Sequence, residues 1–183
     1  MVRALGIDPG LRNFGISVLD YDGVTRPVAR AARVFETRPN HDEGRITDDD
    51  LARVNDLCRR LSEAIDLTKP DCMAAETYRV YTTKAAKDGW KVAYIYGMIV
   101  AVAYGKGIPF YAVTPGDVKR RIGGSSSASK EAVMRNAIAT VDQLDGLLLN
   151  LNKSVRDHAS DAAGIALLAL QLHIKAQAKE TIT

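Results

Sequence analysis

The sequence predicts an α/β domain built on a mixed five-stranded sheet with helices on both faces. Three observations predict it. Short apolar runs broken by turn residues fill the first 36 positions. Segments with apolar residues at helical spacing then alternate with short apolar strands as far as residue 113, and the remainder reads as helix. A meander followed by alternating helix and strand gives a sheet that is antiparallel on one side and parallel on the other, with helices covering its faces.

Taken in order, RALGID at 3–8 is an apolar run closed by Asp-Pro-Gly, a buried strand entering a turn. FGISVLD at 14–20 and VARAARVFE at 28–36 supply two more strands, joined through the turn dipeptide Asp22-Gly23. A polar loop over 37–46 leads to Thr47 as N-cap, with Asp48, Asp49 and Asp50 in a first turn where the helix dipole favours acids. Leu51, Val54, Leu57, Leu61, Ala64 and Ile65 keep helical spacing until Lys69-Pro70. Residues 71–77 form a buried strand, 84–105 a helix and 108–113 a strand; Thr114-Pro115 opens a short helix. Ser129 caps a helix over 130–142, residues 143–153 connect, and a last helix spans 157–176.

A chain of 183 residues is expected to form a single domain, 1–176, with a short tail at 177–183. No secretory signal is expected at MVRALGIDPG, and the apolar run over 92–104 falls short of the roughly 20 residues a membrane span needs. The expected setting is the cytoplasm of a prokaryotic cell, or of a host in which a phage protein acts. Cys58 and Cys72 have no metal-ligand spacing and read as small core residues in a reducing compartment. A net charge of +3 permits nucleic acid as a partner without requiring it.

Three places put carboxylates where an apolar element ends or sits. Asp8 and Glu76 each terminate an apolar strand, and a lone buried charge is costly. Asp157, His158 and Asp161 open the last helix, with His158 and Asp161 at i, i+3 and Asp157 and Asp161 at i, i+4 on one face. Singly, each has an ordinary reading as a turn cap, an ion-pair partner or a first-turn acid. Jointly, they suit a hard divalent cation, which takes oxygen ligands and keeps waters. Two such ions can clamp the attacking and leaving oxygens of a phosphodiester.

The motifs GIDPG-x-R-x-x-G at 6–15, PDCMAAE at 70–76, PFYAVTPGDVKRRIGGSSSASKEAV at 109–133 and H-x-x-D-A-x-x-I-A at 158–166 together resemble the RuvC family of Holliday-junction resolvases. GIDPG alone also opens sugar kinases and actin-like ATPases, but this chain has no P-loop and no length for a second nucleotide-closing domain. The resemblance implies an RNase H-like fold, a homodimer, Mg²⁺ or Mn²⁺ as cofactor (two ions per site) and paired nicks across a four-way DNA junction. It places metal ligands at Asp8, Glu76, His158 and Asp161, with Asp157 a less favoured extra carboxylate, and active-site lysines at Lys119 and Lys130. Two departures stand out. Three positions after the strand-end acid, where the family often carries an aromatic residue, the chain has Arg79 between Tyr78 and Tyr81. Phe14 replaces a small polar residue.

Basic and aromatic residues surround these acids. Tyr78, Arg79, Tyr81, Lys84 and Lys87 follow Glu76, and Lys119, Arg120 and Arg121 form a second cluster with Lys130 beyond it. Cations neutralise phosphates, and aromatics stack on unpaired bases at a branch point. The competing expectations are a broader nuclease for flaps and forks, a junction-binding protein that does not cut, and an RNA-directed relative of the same fold. The apolar segment 92–104 is expected to be core, or to present Tyr and Met at a two-fold interface.

Overall fold

The computed structural model describes residues 1–40, 46–77 and 83–180, the last segment with side chains from residue 89 onward. Strands β1 (Val2–Asp8), β2 (Asn13–Tyr21) and β3 (Val28–Glu36) form the antiparallel meander. Helix α1 (Ile46–Thr68) crosses to β4 (Cys72–Glu76), and α2 (Thr83–Gly105) crosses to β5 (Phe110–Val113). Both β4 and β5 run parallel to β1, giving the order β3-β2-β1-β4-β5. Helices α3 (Pro115–Ile122), α4 (Lys130–Thr140), α5 (Leu144–Leu149) and α6 (Arg156–Glu180) follow. This is the mixed five-stranded sheet the sequence predicts.

Strand alternation splits the core in two. Leu5, Ile7, Phe14, Ile16, Val18, Met73 and Ala75 pack under α1 and α2. Ala4, Leu19, Cys72 and Ala74 pack under α6, with α3 to α5 around it. Where the first turns of α6 cross, the sheet presents the small residues Gly6, Gly15 and Ser17, and that sets how close the helix comes. A β-carbon at Gly6 would fall 2.1 Å from the Ala162 carbonyl oxygen, and one at Gly15 2.3 Å from that of His158. Between them the Ser17 hydroxyl donates to the Ala159 carbonyl at 2.8 Å. The first turns of α6 therefore lie backbone-on-strand across β1 and β2.

Several boundaries differ from the sequence reading. Helix α1 already includes Ile46, so Thr47 lies inside it rather than capping it. Asp49 and Asp50, expected only as first-turn acids, are buried: Asp49 accepts from the Asn40 amide at 2.8 Å, and Asp50 meets Arg53 at 3.1 Å and Lys91 at 3.0 Å. The stretch expected only as a connection, 143–153, holds α5 and runs into a 3-10 turn at Lys153–Val155; Leu144 and Leu148 enter the α6-side core, and Gln143 before them has a left-handed φ of 66°. Helix α6 continues to Glu180, past the expected end at 176. The caps Thr114 and Ser129 are as expected. Phe14 is wholly buried and stacks on Phe35, which accounts for the large side chain there. Cys58 and Cys72 are free thiols. Among the described residues no helix is long and apolar enough to cross a membrane.

Candidate active site

Parity and register bring the strand-end acids together. Ala4, Gly6 and Asp8 alternate onto the α6 face of β1, as Cys72, Ala74 and Glu76 do on β4. The parallel register pairs Ala4 with Cys72 and Gly6 with Ala74, and its continuation sets Asp8 beside Glu76. Both lie at the carboxyl ends of neighbouring parallel strands, where open α/β sheets place ligands. The close seating of α6 at Gly15 then lowers His158 onto the same spot. Its Nδ1 stands 2.7 Å from Asp8 Oδ2.

Charge in this cleft is unbalanced. Burial, then the charges of Asp8 and Asp161, push the Glu76 carboxyl up to about 7 against the pull of Lys130 and Lys119. Burial and Asp8 likewise push Asp161 up to about 6. Lys130 Nζ lies 3.7 Å from both Asp157 and Asp161, and although burial opposes its charge, Asp161, Asp157 and Asp8 raise its pKa. His158 is also raised, first by its hydrogen bond to Asp8. A cluster of carboxylates that resist ionising together, even with Lys130 and Lys119 near, is a site short of positive charge. Three carboxylates and one imidazole are a donor set that a divalent cation accepts. Among the described residues no three such side chains already stand close enough to hold an ion. Carboxylates that repel one another, with His158 turned onto Asp8, have no reason to converge by themselves.

Of the other expected residues, Lys119 is half-buried on α3 and near enough to act on Glu76. Asp157 sits one turn outward, facing Lys130. Arg120 and Arg121 are exposed, and Arg120 leans toward Asp117 at 3.9 Å, so the acids do not gather them in. Tyr78, Arg79 and Tyr81 lie outside the described residues; Lys84 and Lys87 fall on the first turns of α2, with side chains outside them. Asn13 is the residue that sequence reasoning missed. Its Nδ2 is 3.2 Å from His158 Nε2, while its buried Oδ1 has no partner. Which of the two donates depends on the state of the ring; either way Asn13 holds the imidazole at Nε2 while Nδ1 faces Asp8. Only its place at the mouth of β2, two residues before Gly15, hinted at this.

A family model described as crossover junction endodeoxyribonuclease RuvC matches residues 4–169. The chain belongs to the RuvC family. RuvC of Xanthomonas axonopodis pv. citri (strain 306) is 28% identical over 181 residues, covering 98% of this chain and 92% of the relative. RuvC of Methylococcus capsulatus is 30% identical over 170 residues, covering 93% and 91%. Among solved structures, T. thermophilus RuvC in complex with Holliday junction substrate superposes with a TM-score of 0.71 at 25% identity, over 91% of this chain and 92% of that one. The yeast mitochondrial Holliday junction resolvase Ydc2, at 20% identity, shares the fold with a TM-score of 0.66 over 90% and 76% of the two chains. The RNase H-like architecture expected of a RuvC-family chain is the one observed.

The raised pKa values of this RuvC-family site make a stability prediction for the metal-free protein. Glu76 and Asp161 bind protons more tightly folded than unfolded, so their contribution is full below about pH 4 and is lost as pH rises through 6 to 7. His158, also raised, contributes below its ordinary value and loses that contribution as pH rises through the folded one. All three act in one direction. In EDTA the melting temperature is expected to be lower at about pH 8 than at about pH 5, a pH still above the range where Asp20 and Asp56, held down by their arginine partners, take up protons. Added Mg²⁺ should raise the melting temperature at the higher pH and not at the lower. Melts in four buffers check this; a metal-free curve that rises from pH 5 to 8 would contradict it.

Proposed function

We propose that this chain is a structure-selective DNA endonuclease that resolves four-way junctions by paired, symmetric nicks. The observation that carries the reading is the meeting of Asp8, Glu76, His158 and Asp161 at one end of the sheet in a RuvC-family chain. The RuvC of T. thermophilus with its Holliday junction substrate supports the choice of DNA.

The four side chains would hold Mg²⁺, or Mn²⁺ in its place, two ions per site, and Asp157 stands by as an outer carboxylate. Bound there, the metal supplies Lewis-acid stabilisation of phosphoryl oxygen and a water acidic enough to attack at neutral pH. The chain's own residues do the rest. Asp8 and Glu76 at the strand ends and Asp161 on α6 gather carboxylates at one place, and Asn13 holds the His158 ring. Lys130 and Lys119 approach the acids from α4 and α3, where they would meet the scissile phosphate and offset the repulsion between acids and DNA. The exposed end of α3, with Arg120 and Arg121, would extend that contact along the backbone. Such an enzyme works where its chromosome or phage genome lies, in the cytoplasm.

A second active site is needed to nick symmetrically, and α2 offers the surface. Ile95, Ile99 and Ala103 face the core with nothing exposed. Trp90, Tyr94, Val100 and Tyr104 are exposed on the opposite side, around Gly97. Met98 and Tyr96 pack against the core instead, so the outward stripe is Trp and Tyr without Met. A second copy would bury that stripe about a two-fold axis. Tyr94→Arg is expected to shift the protein from dimer to monomer in sedimentation velocity and to uncouple the two nicks; a variant still dimeric would place the interface elsewhere.

The deciding experiment incubates the protein with an immobile four-way junction, a flap, a Y-fork and plain duplex, in DNA and RNA versions, across Mg²⁺ and Mn²⁺ concentrations. Paired nicks confined to the DNA junction are expected. Equal cutting of flaps and forks would favour a broader nuclease, and binding with no nicks at any metal concentration a binding protein.

A further inference from the structure

Away from the acids, a cleft of about 460 Å³ opens between β3 and α1. Ile16, Val18, Ala31 and Phe35 floor it, Ala64 and Leu67 of α1 wall it, and Arg3, Arg30, Arg33 and Arg60 rim it. It lies on the α1 face of the sheet, whereas Asp8 and Glu76 point to the α6 face. Arg3 and Asp8 stand at opposite ends of β1, roughly 17 Å apart along the strand. The cleft is therefore not part of the nuclease site.

Three features define what fits it. The first is charge. Asp20 is shared by Arg3 at 2.6 Å and Arg30 at 2.9 Å; Arg60 pairs with Asp56 at 2.8 Å, and Glu63 with Arg59 at 2.7 Å. Arg33 has no ion pair among the described residues, so the rim stays positive. The second is the ring of Phe35. Phe14 stacks on it at 6.2 Å and the Arg60 guanidinium stands over it at 5.9 Å, which leaves no face for a nucleobase. The third is the strand itself. β3 is the edge of the sheet, and among the described residues its outward backbone pairing is limited to the Val28 and Ala29 end, with Asp142. An open edge beside an apolar cleft is the geometry of strand addition, in which main-chain bonds give affinity and a side-chain pocket gives specificity.

We propose that this cleft and the β3 edge form a docking site for an extended acidic peptide, a segment of a partner protein that adds along β3, seats one bulky apolar side chain against Ala31, Ala64 and Leu67 beside the edge of the Phe35 ring, and sets carboxylates against Arg30 and Arg33. The apolar floor favours a peptide over duplex DNA, and the open edge favours it over a free fatty acid.

The test is fluorescence anisotropy with the full-length protein and a dye-labelled peptide, Asp-Asp-Leu-Asp-Phe-Asp-Asp. Saturable binding is expected, weakened about tenfold or more by Arg33→Glu and by Leu67→Glu. Both positions are exposed, so folding should survive, and junction nicking by both variants should match the unmodified protein. Binding should also be lost when Leu and Phe of the peptide become Ser, or when its acids become Lys. Absence of saturation at about 1 mM peptide would overturn the proposal. So would equal affinity for the Ser or Lys peptides, affinity unchanged in both variants, or displacement of the peptide by duplex DNA or a fatty acid in preference to unlabelled peptide.

Discussion

Asp8→Asn is expected to slow junction nicking by about a thousandfold or more, roughly 4 kcal/mol of transition-state stabilisation, while junction binding changes only a few-fold. The substitution keeps the volume of the side chain and its ability to accept from His158 Nδ1, now 2.7 Å from Asp8. What it removes is charge. Asp8 acts on Glu76, Asp161, Lys130 and His158 alike, more of the cluster than a peripheral acid such as Asp157 reaches. Its loss should therefore empty the metal site rather than tune it. The same reasoning predicts that the variant's metal-free form melts no lower than the unmodified protein, because one source of repulsion is gone. Single-turnover cleavage, a gel-shift titration and a melt in EDTA measure the three quantities. Nicking at the original rate in Mg²⁺ would remove Asp8 from the metal site, and a large loss of stability would make the effect one of folding.

Gly6→Ala should have the largest effect on stability. The added methyl would lie 2.1 Å from the Ala162 carbonyl oxygen and 2.3 Å from the Ala166 nitrogen, both backbone atoms of α6. Side chains can rotate away from an intruder; the backbone in the middle of a buried helix cannot. The helix must lift from β1, loosening the core around Ala159, Ala163 and Ala166. Overpacking of this severity costs about 3 kcal/mol, or a fall in melting temperature of roughly 6–12 °C for a domain of this size. The lift also withdraws His158 and Asp161 from Asp8, so nicking should fall even well below the melting temperature. Calorimetry and cleavage at a low temperature would show both. Gly146→Ala on α5 is the control, since nothing lies within 4 Å of a β-carbon there. A melting temperature unchanged by Gly6→Ala would mean that α6 does not rest on β1 as described.

Much of this protein was legible in its amino-acid order because the signals are local. The strands β1 to β5 declare themselves as short apolar runs between turn residues, and Thr114 and Ser129 cap helices by side-chain chemistry that needs no distant partner. Asp8 and Glu76 stood out for the same reason: each is an acid at the end of an apolar run. The motif blocks from Gly6 to Ala166 were enough to suggest the family to which the chain belongs. Less legible were features whose cause lies far along the chain. Asp49 and Asp50 read only as first-turn acids favoured by the helix dipole, whereas the structure buries them in ion pairs with Arg53 and Lys91. Helix α5 forms because Leu144 and Leu148 find the α6-side core, which no window around residue 146 contains.

The sequence by itself determined the five strands, their mixed arrangement and the acids that end two of them, since alternation and turn chemistry act over a few residues. Only the tertiary structure decided that those acids share a face and a register, that glycines at 6 and 15 let α6 bring His158 and Asp161 onto them, and that Asn13 holds the imidazole from across β2. The proposed metal site depends on side chains far apart in sequence, Asp8 and His158 being 150 residues apart, and they meet only after the sheet has closed under its helix.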